Sequence, residues 1–93
     1  QESTDAEALR QVGNFWRALS MEVRELDPAE HDRIVARVSH LPHLLAAVLV
    51  HAAARPDAQA FGYSGGGFRD STRIAAGPSP MWREILLSNR TAV

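Results

Sequence analysis

The segment from His31 to His43 holds the densest set of side chains that could do chemistry. In a regular α-helix, Asp32, Ser39 and His43 stand at i, i+7 and i+11 and therefore share one face. A hydroxyl and an imidazole on one face can converge on a single hydrogen-bonding ligand. Two interpretations stay open at this point: a polar patch that receives a ligand, or a buried pair in which Ser39 and His43 satisfy each other.

Metal binding is a second hypothesis for the same segment. His40 and His43 are three residues apart, with His31 and Asp32 nearby, and these are ligand types that zinc or iron accept. The spacing is not that of a known metal motif, however, and a proline lies between the two histidines. We therefore predict no metal site, and we expect His51, alone in an apolar run, to be a satisfied core histidine.

A basic cluster follows the glycine run. Arg69 and Arg73 are four residues apart, with Asp70 three residues before Arg73. Such a cluster is usually a solvated charged turn. The alternative is a glycine-rich loop that brings Arg73 into a cleft, where its planar guanidinium could grip a carboxylate with two parallel hydrogen bonds. Trp82 would then form a wall of that cleft, or else simply fill the core.

Two helices are predicted in the first half of the chain. Thr4 to Glu7 has the form of a capping box, and the helical spacing of apolar residues continues to about Ser20. Residues 21–26 predict an extended connector or a short strand.

Asp27 with the next three residues then predicts the start of a second helix. That second helix should turn Ile34, Val35, Val38 and Leu41 inward.

Pro42 should disturb the second helix. Because proline removes a backbone donor and clashes with the preceding turn, we expect a kink or a restart there, before the helix runs on to about Ala54. This second part is apolar almost all round, so a second subunit is expected to supply extra cover.

The remaining third contains a loop and two further helices. The composition of residues 55–67 predicts a loop whose backbone approaches something closely. Residues 68–76 predict a short helix. A last helix should start with Ser79 as its cap and Pro80 as its first residue. Its apolar side is predicted to hold Trp82, Ile85 and Leu86.

Three short motifs do not carry function in this context. Gly62 to Gly66 matches the G-x-S-x-G pattern of a hydrolase nucleophile elbow, but no buried strand precedes it. The glycine run also lacks the strand of a dinucleotide fingerprint. The glycosylation sequon that begins at Asn89 is expected to be idle in a cytoplasmic protein.

The amino-acid composition limits which classes of function are compatible with this chain. The 93 residues suit one small domain, and ten basic residues, all Arg, balance eleven acidic ones, so nucleic acid is not an expected partner. The absence of Cys excludes disulfides and thiolate metal sites and favours a cytoplasmic location. The longest apolar stretch, Leu41 to Ala54, is too short to span a bilayer, so no membrane is expected. The chain starts at a helix cap and stops in a helical pattern, and we expect a fragment.

Taken together, the residues resemble one family, in order and in spacing: the C-terminal domain of prephenate and arogenate dehydrogenases. The resemblance covers nearly the whole chain, and its combination of motifs is far more specific than any single one. The motifs that carry it are His31-Asp32-Arg33, Ser39-His40-Leu41-Pro42-His43, the run from Gly65 to Ala75, and Trp82-Arg83-Glu84-Ile85 to Asn89-Arg90.

The resemblance implies an all-α, small multi-helix domain that forms an interlocked homodimer. It implies that residues 1–93 are the substrate-binding and dimerisation domain of an NAD(P)-dependent oxidoreductase of tyrosine biosynthesis. The reaction would be oxidative decarboxylation of prephenate to 4-hydroxyphenylpyruvate, or of arogenate to tyrosine. The family's Rossmann domain and catalytic histidine precede this region, so no catalytic or cofactor-binding residue is assigned in this chain, and NAD and NADP stay open.

Individual roles also follow from the resemblance. Arg73 would bind the ring carboxylate of the substrate, while His43 and Ser39 would hold its polar groups. Trp82 would border the pocket, and Asp70 would pair ionically near the substrate arginine, across the dimer in one arrangement. A hypothesis from another class remains beside this one: a non-enzymatic helical module that binds or senses metal through its histidines.

Overall fold

Every regular element in the described part of the chain, residues 4–55 and 57–93, is helical in the computed structural model. The all-α prediction is thereby confirmed. The predicted loop contains Pro56, which lies outside these residues. The α-helices are α1 (Ala6–Ala18), α2 (Pro28–Val35), α3 (Leu41–Ala54), α4 (Gly66–Thr72) and α5 (Ser79–Ser88), with a π-helical turn at Ala36–His40 and 3₁₀ turns at Ala58–Tyr63 and Arg73–Ala76.

Helix α1 begins one residue later than its capping box predicted. The carboxylate of Asp5, not Thr4, is the cap and accepts the backbone N–H of Glu7 at 3.0 Å. Asp is an equally good cap, and it stands directly at the helix start. Residues 21–27 then form no regular element, so the connector prediction is confirmed and the alternative of a short strand is not.

At its other end, α1 closes in a Schellman motif. Ser20 has a φ of 61° and donates its N–H to the carbonyl of Arg17, while Met21 donates to the carbonyl of Trp16. Glycine usually occupies such a left-handed position, because a Cβ makes it costly. Ser20 is the only non-glycine residue with a positive φ in the described ranges.

Helices α2 and α3 join through the π turn into one run of 27 residues from Pro28 to Ala54. The predicted start is confirmed, because Asp27 accepts the N–H groups of Ala29 and Glu30 at 2.9 and 3.3 Å. Pro42 does not make the helix restart. Instead, the turn before it is widened, and Leu41 donates its N–H five residues back, to Ala36. A wider turn accommodates the missing donor and the bulk of the pyrrolidine ring.

The inward face of this long helix is not the predicted one. Ala36, His40, His43 and Ala46 are buried, whereas Val38 is 70% exposed and Ile34 and Leu41 are each 41% exposed. Of the four residues predicted to point inward, only Val35 is half-buried. The prediction was wrong because the residues after α3 pack against the side that carries the small and histidine side chains.

The same helix is long and apolar enough to cross a membrane, by length and composition alone. The stretch from Leu41 to Ala54, which was predicted to be too short to span a bilayer, is only the second half of this helix. Only 22% of its apolar part is buried inside the chain. A core helix that packs against a partner subunit passes the same test, so this feature is weak support for a membrane span.

The last third folds back on α3. The predicted loop is partly regular, since the carboxylate of Asp57 accepts the N–H of Gln59 and starts a 3₁₀ turn. Within the described chain, nothing lies within 4 Å of a Cβ built on Gly62, Gly65, Gly66 or Gly67, so the predicted close approach does not involve this chain's own residues there. Helix α5 begins at Ser79 with Pro78 as its cap, one residue earlier than predicted.

The predicted helix over residues 68–76 is present as α4 and the 3₁₀ turn that follows it. The predicted apolar side of α5 is also confirmed, because Trp82, Ile85 and Leu86 are half-buried while the intervening charged side chains are exposed.

Relief of the left-handed strain at Ser20 should stabilise the chain. We expect Ser20→Gly to raise the free energy of unfolding by about 1 kcal/mol, because glycine adopts a positive φ without a Cβ penalty. Urea denaturation measures this difference. The matched control is Ser71→Gly inside α4, which should lower stability by roughly 0.5–1 kcal/mol. Equal destabilisation by both variants would contradict the assignment.

Candidate functional site

The centre of the candidate site is a stack of two rings from different helices. His43 of α3 and Trp82 of α5 lie with ring centroids 3.5 Å apart and planes 10° from parallel. His43 is only 5% exposed. The stack explains why a histidine can sit in an otherwise apolar helix: the indole covers one face of its ring.

Gly77 makes this stack possible. A Cβ built on Gly77 would lie 2.5 Å from Nε1 of Trp82 and 3.4 Å from Cε1 of His43. The backbone before α5 therefore runs directly against the indole, and no larger residue fits there without moving it. The close backbone approach seen within this chain is thus at Gly77 and not in the glycine run.

A pocket of about 430 Å³ opens beside the stacked rings. Its size suits a small organic molecule, and a mainly apolar lining with a few polar groups is typical of ligand sites. His43 and Arg83 bring polar atoms to its edge. The other lining residues include Leu44, Ala47, Ala75, Gly77, Trp82 and Leu86.

The Nδ1 atom of His43 has no hydrogen-bond partner within the described residues, although it is fully buried. Leaving such a group unpaired costs about 1–3 kcal/mol, and buried unpaired polar atoms are uncommon away from functional sites. The interpretation in which Ser39 and His43 satisfy each other is therefore wrong. Ser39 is exposed, because it lies within the π turn, which breaks the regular spacing on which a shared face with Asp32 and His43 depended.

Arg73 and Asp70 lie outside the stack. Both are exposed, and neither forms an ion pair in the part of the chain that the structure describes. Arg73 begins the 3₁₀ turn that carries Ala75 into the pocket lining. The two residues thus lie on the segment that leads into the pocket, but they are not among its lining residues.

Asn89 is a functional candidate to which the sequence assigned no role, although it stands in one of the motifs that carry the resemblance. It is 8% exposed, and its amide Nδ2 donates to the backbone carbonyl of Asp32 at 2.9 Å and lies 3.1 Å from Nδ1 of His40. An Asn directly after the last apolar turn of a helix is a helix-end signal, which could have drawn attention to it.

The histidines do not assemble into a metal site in the described ranges, where no group of three His, Cys, Asp or Glu side chains comes together. His31 pairs with its neighbour Asp32 at 3.1 Å, and His40 faces Asn89. His51 is exposed, so the expectation of a core histidine was wrong. The reason is that the apolar stretch around His51 is itself uncovered by the rest of the chain.

The chain is similar in sequence to known dehydrogenases. A profile described as prephenate dehydrogenase, dimerization domain, matches residues 27–93. The chain is 37% identical to a prephenate dehydrogenase of Bacillus subtilis (strain 168) over 99% of its own length and 26% of that protein. It is 31% identical to a cyclohexadienyl dehydrogenase of Zymomonas mobilis over 97% of its length and 32% of that protein.

A third relative matches a shorter region more closely. A prephenate dehydrogenase of Lactococcus lactis is 46% identical over 69% of the chain and 19% of its own length. The chain therefore spans about a third or less of each of these relatives.

The contact between Gly77 and the indole should be sensitive to a single methyl group. We expect Gly77→Ala to lower the free energy of unfolding by about 1–3 kcal/mol and to change the emission of Trp82, because the indole must leave His43. In a Trp16→Phe background, Trp82 is the remaining tryptophan of the chain and reports this directly. Gly65→Ala is the matched control, since its Cβ would meet open space. Unchanged emission in Gly77→Ala would contradict the packing.

Proposed function

Because the chain belongs to the prephenate dehydrogenase dimerization-domain family, we propose that it is the C-terminal part of an enzyme that oxidatively decarboxylates prephenate. The products would be 4-hydroxyphenylpyruvate and carbon dioxide, with a hydride transferred to NAD or NADP. The proposed setting is tyrosine biosynthesis in the cytoplasm. The residues that bind the dinucleotide and move the proton would lie in the part of the enzyme that precedes this chain.

The observation that carries this proposal is the pocket beside His43 and Trp82. It offers a flat aromatic wall for a six-membered ring, and the imidazole of His43 lines the cavity beside that wall. A substrate with a ring and hydrogen-bonding groups suits this combination of apolar surface and few polar atoms. In this role Trp82 borders the ring, and His43 orients its polar groups.

Arg73 is proposed to bind the ring carboxylate. It is an exposed guanidinium without an ion-pair partner in the described residues, at the start of the segment that enters the pocket. A grip on the departing carboxylate that was stronger before its loss than during it would slow the reaction. The proposed benefit is therefore orientation of the ring toward the cofactor and selection of a dianionic substrate.

Ser39 and Asp70 have proposed roles that depend on the assembled enzyme. Both are exposed in the single chain. Ser39 would hydrogen-bond the substrate once the neighbouring domain closes over α3. Asp70 would pair ionically near Arg73, either within the subunit or across the dimer.

The proposed assembly is a homodimer that buries the outer face of α3. Leu45 is 59% exposed and Val48 is 55% exposed, with Leu41 and Leu49 exposed beside them. Apolar patches of this kind on a helix typically mark a subunit interface. The dimerization-domain match covers the whole of α3 and supports this assignment.

Arogenate is the second candidate substrate. It is supported by the relative named cyclohexadienyl dehydrogenase, a name that is not limited to prephenate. The part of the two substrates that would face Arg73 is the same, so the residues named above would serve either of them.

Removal of the Arg73 guanidinium should weaken substrate binding selectively. In the full-length enzyme we expect Arg73→Ala to raise KM for prephenate by about one to two orders of magnitude, the loss typical of a charge-assisted bidentate contact. Steady-state kinetics with purified protein measure this value. Arg69→Ala, one turn earlier on α4, should leave KM within about twofold. An unchanged KM in Arg73→Ala would refute the assignment.

A charge on the outer face of α3 should break the dimer. We expect Leu45→Glu to raise the dimer dissociation constant by at least about a hundredfold, because it buries an unpaired carboxylate. Sedimentation velocity of the full-length protein measures the change. Gln59→Glu, an exposed position outside this face, should leave the dimer intact. A dimer that tolerates Leu45→Glu would place the interface elsewhere.

A further inference from the structure

Asn89 forms the long-range side-chain hydrogen bonds of the described chain. Its partners, Asp32 and His40, are 57 and 49 residues away in sequence. Every other side-chain hydrogen bond in residues 4–55 and 57–93 joins residues no more than four apart. The C-terminal end of α5 is thus tied to the long helix by one amide group.

The hydrogen bonds of this amide determine which ring nitrogen of neutral His40 carries the proton. A backbone carbonyl can only accept, so the atom of Asn89 that faces Asp32 must be the NH₂ group. Its second proton then points to Nδ1 of His40, 3.1 Å away, and Nδ1 must accept it. The ring proton of the neutral imidazole is therefore on Nε2. Both protons of the amide are used, which satisfies a donor that is 8% exposed.

The two hydrogen bonds of Asn89, to Asp32 and to His40, form a clamp between α5 and the long helix. This clamp is connected to the candidate site by the ring of His40. That ring meets Trp82 edge to face, with centroids 6.4 Å apart and planes at 83°. Trp82 in turn stacks on His43. His40 also ends the π turn, so its position decides how Ser39 and His43 are presented on either side of it. Single-turn π segments occur often at functional sites.

We propose that Asn89 is a positioning residue: by holding the carbonyl of Asp32 and the ring of His40 together, its amide sets the placement of Trp82 and His43 in the substrate pocket. The inference rests on the proposed function only for the identity of the substrate. Asn89 itself touches no pocket ligand in this role and acts through His40.

The test uses the full-length enzyme with two substitutions at Asn89. Asn89→Leu removes both hydrogen bonds with little change in volume. Asn89→Asp keeps the shape but cannot donate, so His40 must place its proton on Nδ1 to bond the carboxylate. Asn14→Leu, which changes the chain's other asparagine on the exposed side of α1, is the matched control.

We expect both Asn89 variants to raise KM for prephenate by about tenfold with kcat within about threefold, because the ring wall is displaced but the reacting groups are unchanged. In Asn89→Asp the ring ¹⁵N signals of His40 should show the proton moving from Nε2 to Nδ1. A purely structural residue would lower the folded fraction and the apparent kcat while leaving KM unchanged, and that result would overturn the proposal. If Asn89→Leu does not fold, Asn89→Asp decides alone.

The two proposals fail in distinguishable ways. If the wild-type enzyme does not oxidise prephenate, the proposed function is wrong, and the clamp is then judged by NMR. Movement of the His43 ring signals in Asn89→Asp, with the proton transfer on His40, would support it. His43 signals identical to the wild type would overturn it.

Discussion

The long helix from Pro28 to Ala54 has more apolar surface than the rest of this small chain can cover, and most features of the structure follow from that shortage. In the described ranges the buried hydrophobic residues are Ala36 and Ala46, and no large hydrophobic side chain is buried. Burial of apolar area is the main favourable term in folding, so a core built from two alanines is small. The helix must therefore be covered from outside the chain. Membership in a dimerization-domain family agrees with this requirement.

The π turn decides which side of the long helix the chain covers itself. It lies just before Pro42, where an ordinary α-helical turn would clash with the proline ring. The wider turn places Ala36 and His40 on the inner side, and the regular spacing of α3 then carries His43 to the same side. Ser39 stays outside. A local solution to the proline problem thus separates two residues that a uniform helix would have placed on one face.

The parts of the fold that depend on a few neighbouring residues could be predicted from the sequence. The cap at Asp27 is one example, since the carboxylate bonds N–H groups two and three residues ahead. The start of α1 was displaced by one residue because Thr4 and Asp5 are both acceptable caps. Helix α5 starts one residue earlier than predicted, after Pro78 and without a side-chain cap, and shifts of this size are usual at helix ends.

What depends on tertiary packing could not be predicted in this way. Val38 and His51 were expected inside and are exposed, because burial is decided by which elements fold back on the helix and not by its own pattern. Trp82 was anticipated as a wall or a core residue, and its stacking on His43 required knowledge of the α3–α5 contact. Asn89 bonds residues far away in sequence, and no local pattern reveals such partners. Gly77 lies against Trp82 only five residues ahead, but the contact is tight because His43 of α3 holds the other side of the indole. The family resemblance, carried by many motifs at once, supplied the remaining candidate residues.

In the proposed role, dimerisation and substrate binding are linked because surfaces that the single chain leaves exposed to solvent serve both. A guanidinium that is open to water gains little from a carboxylate, typically less than about 1 kcal/mol, because the solvent screens the charges. Arg73 is exposed in the single chain. Its contact with a substrate becomes strong only where water is excluded, and the surfaces that exclude it must come from the neighbouring domain or the partner subunit. The ring wall of His43 and Trp82 is complete in one chain, whereas the charged half of the pocket is not. A carboxylate-binding arginine therefore suits a domain that pairs subunits. Assembly would exclude water and so strengthen each charged contact that the single chain leaves exposed.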